Sequence, residues 1–230
     1  MFYQSTMPII IVPQGAEYKA VCRGLSRSTT VKQNVIPIPV GGQAVIRYLR
    51  TCQDKLWNPQ AKVLMMGLCG SLRDRFQVGD IVLYDECIYE TKVQQCDHSF
   101  TAELHKHLQD KVSLVKGLTS DRVVCSAKEK LHLSKISGAD VVDMEGFAAL
   151  EFFQQAGVEV AMLRVVSDDS QHDIPDLTSA INSDGSLQPL PLAMSMIRQP
   201  IAATRLIRGS LRALKVLEEV TAFLFKESLS

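Results

Sequence analysis

The stretch whose reading decides the fold runs from Val141 to Ser170, VVDMEGFAALEFFQQAGVEVAMLRVVSDDS. It predicts a short strand (Val141 to Met144), a helix (Gly146 to Ala156) stopped at Gly157, and a long apolar strand (Val158 to Val166) ending in Ser-Asp-Asp. Glu145 leaves the first strand and Asp168 the second, so the expectation is that neighbouring parallel strands deliver two carboxylates to one edge of a sheet. Ligands of open α/β sheets bind at the carboxyl ends of the strands. Two acids there suit a reaction that needs a proton donor and a partner for developing positive charge. The plain alternative is a pair of solvated loop residues.

Working outward, Pro8 to Val12 is an apolar run bounded by prolines, as for a strand covered on both faces. Gly15 then opens a helix in which Tyr18, Val21, Cys22 and Leu25 share one side and Glu17 lies in the first turn, where the helix dipole alone would favour it. Val35 to Val40 is β-like, but Pro37 and Pro39 place it near a sheet edge. Gly41-Gly42 leads into a helix from Gln43 to about Leu56, as a simple turn or as a point of close backbone approach. Lys62 to Gly67 is a buried strand, followed by a glycine turn (Gly67 to Leu72) and a second strand, Asp80 to Glu86. Two strands without an intervening helix suggest a mixed, curled sheet. Ser99 to Gln109 is a helix with Ser99 as its cap, Val112 to Thr119 a strand and Ala127 to Ile136 a helix. The alternation describes one α/β domain over residues 1–230. Residues 171–200 read as a polar surface flap. From about Ala203 to Phe225 a helix places Arg205, Arg208, Arg212 and Lys215 on one side and Leu206, Leu214, Leu217 and Leu224 on the other. Its basic side is either solvated or meets anionic lipid head groups.

Lysine plus arginine and aspartate plus glutamate are equal at 25 each, so no overall field attracts nucleic acid, no nucleic acid partner is expected, and a small, neutral or weakly charged ligand fits better than a polyanion. Six cysteines without a Cys-x-x-Cys pair argue against a zinc site or a disulfide framework. His105 and His107 read as surface residues, and no metal is expected. The amino terminus lacks a basic signal region, and no stretch reaches the roughly 20 apolar residues that span a bilayer. The expectation is a soluble, cytoplasmic protein. No Gly-x-Gly-x-x-Gly or Walker loop is present, which sets aside dinucleotide and P-loop chemistry.

Val142-Asp143-Met144-Glu145 followed by Arg164-Val165-Val166-Ser167-Asp168 resembles the paired signature of the nucleoside phosphorylase and nucleosidase superfamily, which includes the methylthioadenosine/S-adenosylhomocysteine nucleosidases. Gly67 to Leu72 and Val78 to Val82 are similar to its central glycine turn and following strand. The resemblance implies a three-layer α/β/α fold with a twisted mixed sheet, no cofactor, a homo-oligomer, and cleavage of the bond between a nucleobase and ribose by water or phosphate. It implies that Asp168 protonates purine N7, for which its pKa must be raised by burial. Glu145 would bind the ribose hydroxyls, Met144 would pack on the sugar, and Val123, Val124, Leu68, Cys69 and Gly70 would line the pocket. Glu17 would position a water, with Arg164 beside it. Val123 replaces an aromatic that stacks on the base, and Leu68 replaces a serine. No arginine stands where hexameric phosphorylases hold phosphate, which favours water.

The tail resembles hopanoid-associated phosphorylases through Ile174-Pro175-Asp176, Ser183-Asp184-Gly185 and Arg198-Gln199-Pro200. That resemblance implies adenine release from adenosylhopane, with phosphate as co-substrate and peripheral membrane contact through the basic helix. A non-catalytic nucleoside-binding protein of the same fold is the competing reading.

Overall fold

The computed structural model describes residues 7–28, 33–56, 61–177 and 188–226. In chain order these form β1 (Ile9–Pro13), α1 (Ala16–Ser26), β2 (Val35–Ile38), α2 (Gly42–Leu56), β3 (Lys62–Ser71), β4 (Ile81–Tyr89), β5 (Lys92–Gln95), α3 (His98–Leu108), β6 (Val112–Thr119), α4 (Ala127–Ser137), β7 (Val141–Asp143), α5 (Gly146–Gln155), β8 (Glu159–Asp168), α6 (Pro189–Arg198) and α7 (Pro200–Leu224).

The strands make one mixed sheet, with β2 and β5 at its ends. Its middle curls until the pairings close: β3 pairs with β8, β8 with β4, β4 with β6, β6 with β7, and β7 with the end of β3. Helices cover both sides. Val45 and Leu49 of α2 and Phe147, Leu150 and Phe153 of α5 pack on one face. Ala20, Val21 and Leu25 of α1, Phe100 and Leu104 of α3, and Ala213, Leu217 and Leu224 of α7 pack on the other. This is the three-layer α/β/α arrangement expected, and strands buried on both faces explain the unbroken apolar runs in the sequence.

Several details differ from the expectation. Glu145 and Asp168 do not leave neighbouring parallel strands, because β3 lies between β7 and β8, antiparallel to the first and parallel to the second. Gly67 to Ser71 is not a turn but the second half of β3, with a register shift between Cys69 and Gly70 that lets Gly70 pair with both Val142 and Asp168. The cap of α3 is Asp97, whose carboxylate accepts from Phe100 N–H at 2.8 Å, rather than Ser99. His105 and His107 are half-buried, and the His107 ring packs on Phe223 at 5.3 Å between centroids.

The stretch read as a flap contains α6, whose Pro189 and Pro191 occupy the first turn, where a missing N–H costs nothing. The last helix starts at Pro200 rather than Ala203. Residues 178–187, including Ser183-Asp184-Gly185, lie outside the described residues. No helix among the described residues is long and apolar enough to cross a membrane.

Candidate functional site

Cys69 sits where the acids meet. Its thiol is pushed well above the ordinary range by burial, opposed by Arg164 and reinforced by Asp143, Asp168 and Glu17, all close enough to act on it. Residues far apart in sequence therefore share one interior region at the bend of β3.

Glu17 reaches this region from the first turn of α1. The residue is half-buried, but its carboxylate lies inside, where Oε1 accepts from Leu68 N–H at 2.6 Å. Burial and the neighbouring Glu145 raise its pKa to about 7, against the pull of Leu68 N–H and Arg164. Glu145 stands at the start of α5 and accepts from Gly41 N–H at 2.9 Å. Gly41 has φ +91°, a conformation open to glycine, and that twist turns its N–H onto the carboxylate. Burial first, then Asp143, lift Glu145 to about 7, while Arg164 and the two backbone donors restrain it. Two acids this close cannot both ionise freely and titrate as a unit.

Arg164 is fully buried on β8. Its Nη2 donates to Asp143 Oδ2 at 2.9 Å, and Asp143 Oδ1 accepts from Thr119 and from Gly146 N–H. Burial works against the Arg164 charge, yet Asp143, Tyr84, Glu145 and Glu17 together hold its pKa above the usual arginine value. Its Nε has no hydrogen-bond partner among the described residues. Gly67 leaves room for the cluster, since a Cβ there would overlap Arg164 Nη1 and lie 2.8 Å from Glu17 Oε1.

Asp168 closes β8 and faces a small cavity beside this cluster, lined by Gly70, Val123, Val124, Met144, Ile174 and Arg122, together with Val142 and Asp143. The cavity measures about 70 Å³, room for roughly two waters at liquid density. Asp168 Oδ1 is 2.9 Å from Ser167 Oγ, which donates to it or to the Cys69 carbonyl. The surroundings of Asp168 are not wholly apolar, because Lys130 of α4, completely buried, donates to Asp168 Oδ2 and to the Asp169 carbonyl.

All ten residues singled out in the sequence lie in this region or its walls: Glu17, Leu68, Cys69, Gly70, Val123, Val124, Met144, Glu145, Arg164 and Asp168. The sequence reading gave no role to Lys130, to Asp143 as the partner of Arg164, or to Arg122 and Ile174 at the cavity. Asp143 was visible as the buried end of a strand. Lys130 carried no such signal, being one of several lysines on a weakly patterned helix.

No curated protein sequence matches the chain. Among solved structures, a mutant of the Helicobacter pylori methylthioadenosine/S-adenosylhomocysteine nucleosidase with 5′-methylthioadenosine in its active site superposes with a TM-score of 0.66 at 15% identity, covering 93% of this chain and 97% of the other. The native futalosine hydrolase of the same organism gives 0.63 at 15% identity, covering 91% and 94%. At that identity the likeness establishes a common fold. Residues 59–184, more than half of the chain, match the sequence pattern of the phosphorylase superfamily, and the chain belongs to that family.

Proposed function

We propose that the protein cleaves the N-glycosidic bond of a purine nucleoside, most simply a 5′-substituted adenine nucleoside, as one nucleoside phosphorylase-like domain. The observation that carries this reading is the meeting of three acids at the second half of β3: Glu17 accepts from Leu68 N–H, Asp168 lies against Gly70, and Glu145, held by Gly41 N–H, is close enough to act on Glu17. Val123, Val124 and Gly70 take the base against Asp168, Met144 packs on the sugar, and Glu145 accepts from the ribose hydroxyls. As the bond to C1′ lengthens, positive charge grows on the sugar and negative charge on the purine. An ionised Glu145 favours the first, and a proton delivered through Asp168 to N7 neutralises the second.

Water is the nucleophile that the charges favour. Glu17, with a pKa raised to about 7, takes a proton from water near neutrality. Phosphate would meet Glu17, Glu145 and Asp143, while Arg164 is already committed to Asp143. The test is adenine release from adenosine and 5′-methylthioadenosine, followed with and without phosphate. Release independent of phosphate supports hydrolysis, and phosphate-dependent release with a ribose 1-phosphate product supports the phosphorylase. Tight adenine binding without cleavage of any nucleoside would make the protein a binder.

A second reading concerns the 5′ group. None of the α6 residues is buried, and Leu190, Met194, Ile197 and Ile201 stand exposed. Arg205, Arg208 and Arg212 line a groove with Val78 and Thr204 and make no ion pair with an acidic side chain among the described residues. Apolar residues beside unpaired cations suit an anionic lipid surface. Gly209 of α7 lies against the Ser167 carbonyl, one residue from Asp168, so a substrate with a lipid at the 5′ carbon, such as adenosylhopane, would be met close to the cleft. A homo-oligomer would use the α2 and α5 face, where Ile46 and Phe152 are partly exposed.

A further inference from the structure

Helix α4 is packed against its own pattern. It buries Lys130 and Ser134 and leaves Leu131 and Ile136 exposed, at 52% and 67%. A helix placed for stability alone would turn its leucines inward and its lysines out, and local contradictions of this kind mark functional sites. Lys130 has no exposed side-chain surface and is held by two acceptors, Asp168 Oδ2 and the Asp169 carbonyl. The helix itself is anchored to the same segment, since Ala127 N–H donates to Asp173 Oδ1 at 2.7 Å and Ile174 N–H to the Cys125 carbonyl at 2.9 Å. An ammonium buried this fully, bound to a carboxylate at the end of β8 that lines the small cavity, has a position that general stability does not demand.

We propose that Lys130 is a positioning residue that aims Asp168 and stores the proton Asp168 passes to the leaving base. This deepens the proposed glycosidic cleavage and rests on it. In the resting site the proton resides on the Lys130 ammonium. When the C1′–N9 bond breaks, its electron pair goes to the purine. The Lys130 ammonium passes its proton to the Asp168 carboxylate, and the carboxyl so formed passes it on to N7, leaving a neutral base, a carboxylate and a neutral amine. Water oxygen bonds to C1′ and gives its proton to Glu17. After the base departs, Glu17 returns that proton to solvent and Lys130 recovers one. Asp168 ends each cycle as it began.

The test compares wild type with Lys130→Met, Lys130→Arg, Asp168→Asn and the double variant Lys130→Met/Asp168→Asn. Two substrates are used: the adenine nucleoside turned over fastest, and 4-nitrophenyl riboside, whose leaving group departs without a proton. Lys130→Met is expected to lower kcat on the nucleoside by about 10²–10⁴-fold, with KM within a few-fold, and to leave nitrophenyl riboside cleavage within a few-fold of wild type. Lys130→Arg keeps the charge but cannot release a proton, so its nucleoside turnover should stay low while base binding is retained.

Because Lys130 and Asp168 act in one relay, the double variant should be no slower than Asp168→Asn alone. It also removes both charges together, so it lacks the unpaired buried charge that Lys130→Met alone would leave. Equal losses on both substrates, full activity in Lys130→Arg, or losses that multiply in the double variant would overturn the inference while leaving the cleavage reading intact. A wild type that cleaves no nucleoside would overturn the cleavage reading itself and this inference with it.

Discussion

Arg164 Nη2 and Asp143 Oδ2 meet at 2.9 Å with both side chains almost wholly out of water. The pair ties β8 to β7 across the bend of β3, and the other oxygen of Asp143 accepts from Thr119 and from Gly146 N–H. Removing one partner leaves an uncompensated buried charge, which costs about 3–5 kcal/mol. Asp143→Ala should therefore lower Tm by roughly 10 °C, measured by calorimetry, and an unchanged Tm would refute the buried pairing.

The raised carboxylates make a prediction about pH and stability. Glu17 and Glu145 rise from 4.5 to about 7 on folding, so the native state binds more protons than the unfolded chain between those values. Their contribution to stability is complete below pH 4.5 and is lost as pH climbs through about 7. Urea midpoints should fall across that interval in wild type and fall less in Glu17→Gln. A midpoint that rises over the same interval in wild type and is unaltered by Glu17→Gln would contradict the assigned environment.

Activity should run the other way. If Glu17 takes the proton of water, kcat/KM rises as pH passes through about 7, where the carboxylate ionises. Glu17→Gln removes that limb along with most of the rate, an expected loss of about 10²-fold or more. A pH–rate profile with the same limb in the variant would assign it to another group.

Gly67 is required for space rather than for turning. A methyl group there would run into the Arg164 guanidinium and crowd Glu17. Gly67→Ala should cost about 1–3 kcal/mol through overpacking and depress turnover more than KM. Wild-type kinetics in this variant would show that the two side chains can move apart without consequence.

The groove arginines predict a salt-sensitive association. Wild type should sediment with vesicles rich in phosphatidylserine at low ionic strength and be released at high salt. Replacing Arg205, Arg208 and Arg212 by alanine should abolish sedimentation and leave cleavage of a water-soluble nucleoside unaltered. Absence of wild-type binding at low salt would leave the lipid reading without support.

Much of the architecture was legible because two-sided burial writes unbroken apolar runs: β6 was read at Val112 to Thr119, where it lies. The glycines of β3 misled because glycine signals both turning and close approach. Gly67 and Gly70 serve the second purpose, making room for Glu17, Arg164 and Asp168. The prolines that open α6 misled similarly, since they stop a preceding helix and begin a new one with equal ease. Glu145 and Asp168 announced themselves by following strands, whereas Lys130 depends on the rotation of a helix that leaves Leu131 and Ile136 exposed. Rotation of that kind is set by tertiary contacts and leaves no mark on local periodicity.

Because Gly70 faces both Val142 and Asp168, a single peptide unit gauges the separation between the strand that ends beside Glu145 and the strand that ends in Asp168. Lengthening or trimming the outer connections leaves that gauge untouched, whereas a one-residue slip at Cys69/Gly70 would swing the last side chains of β3 to the opposite face. The segments that follow β8 can therefore vary in length without changing the spacing between Glu145 and Asp168.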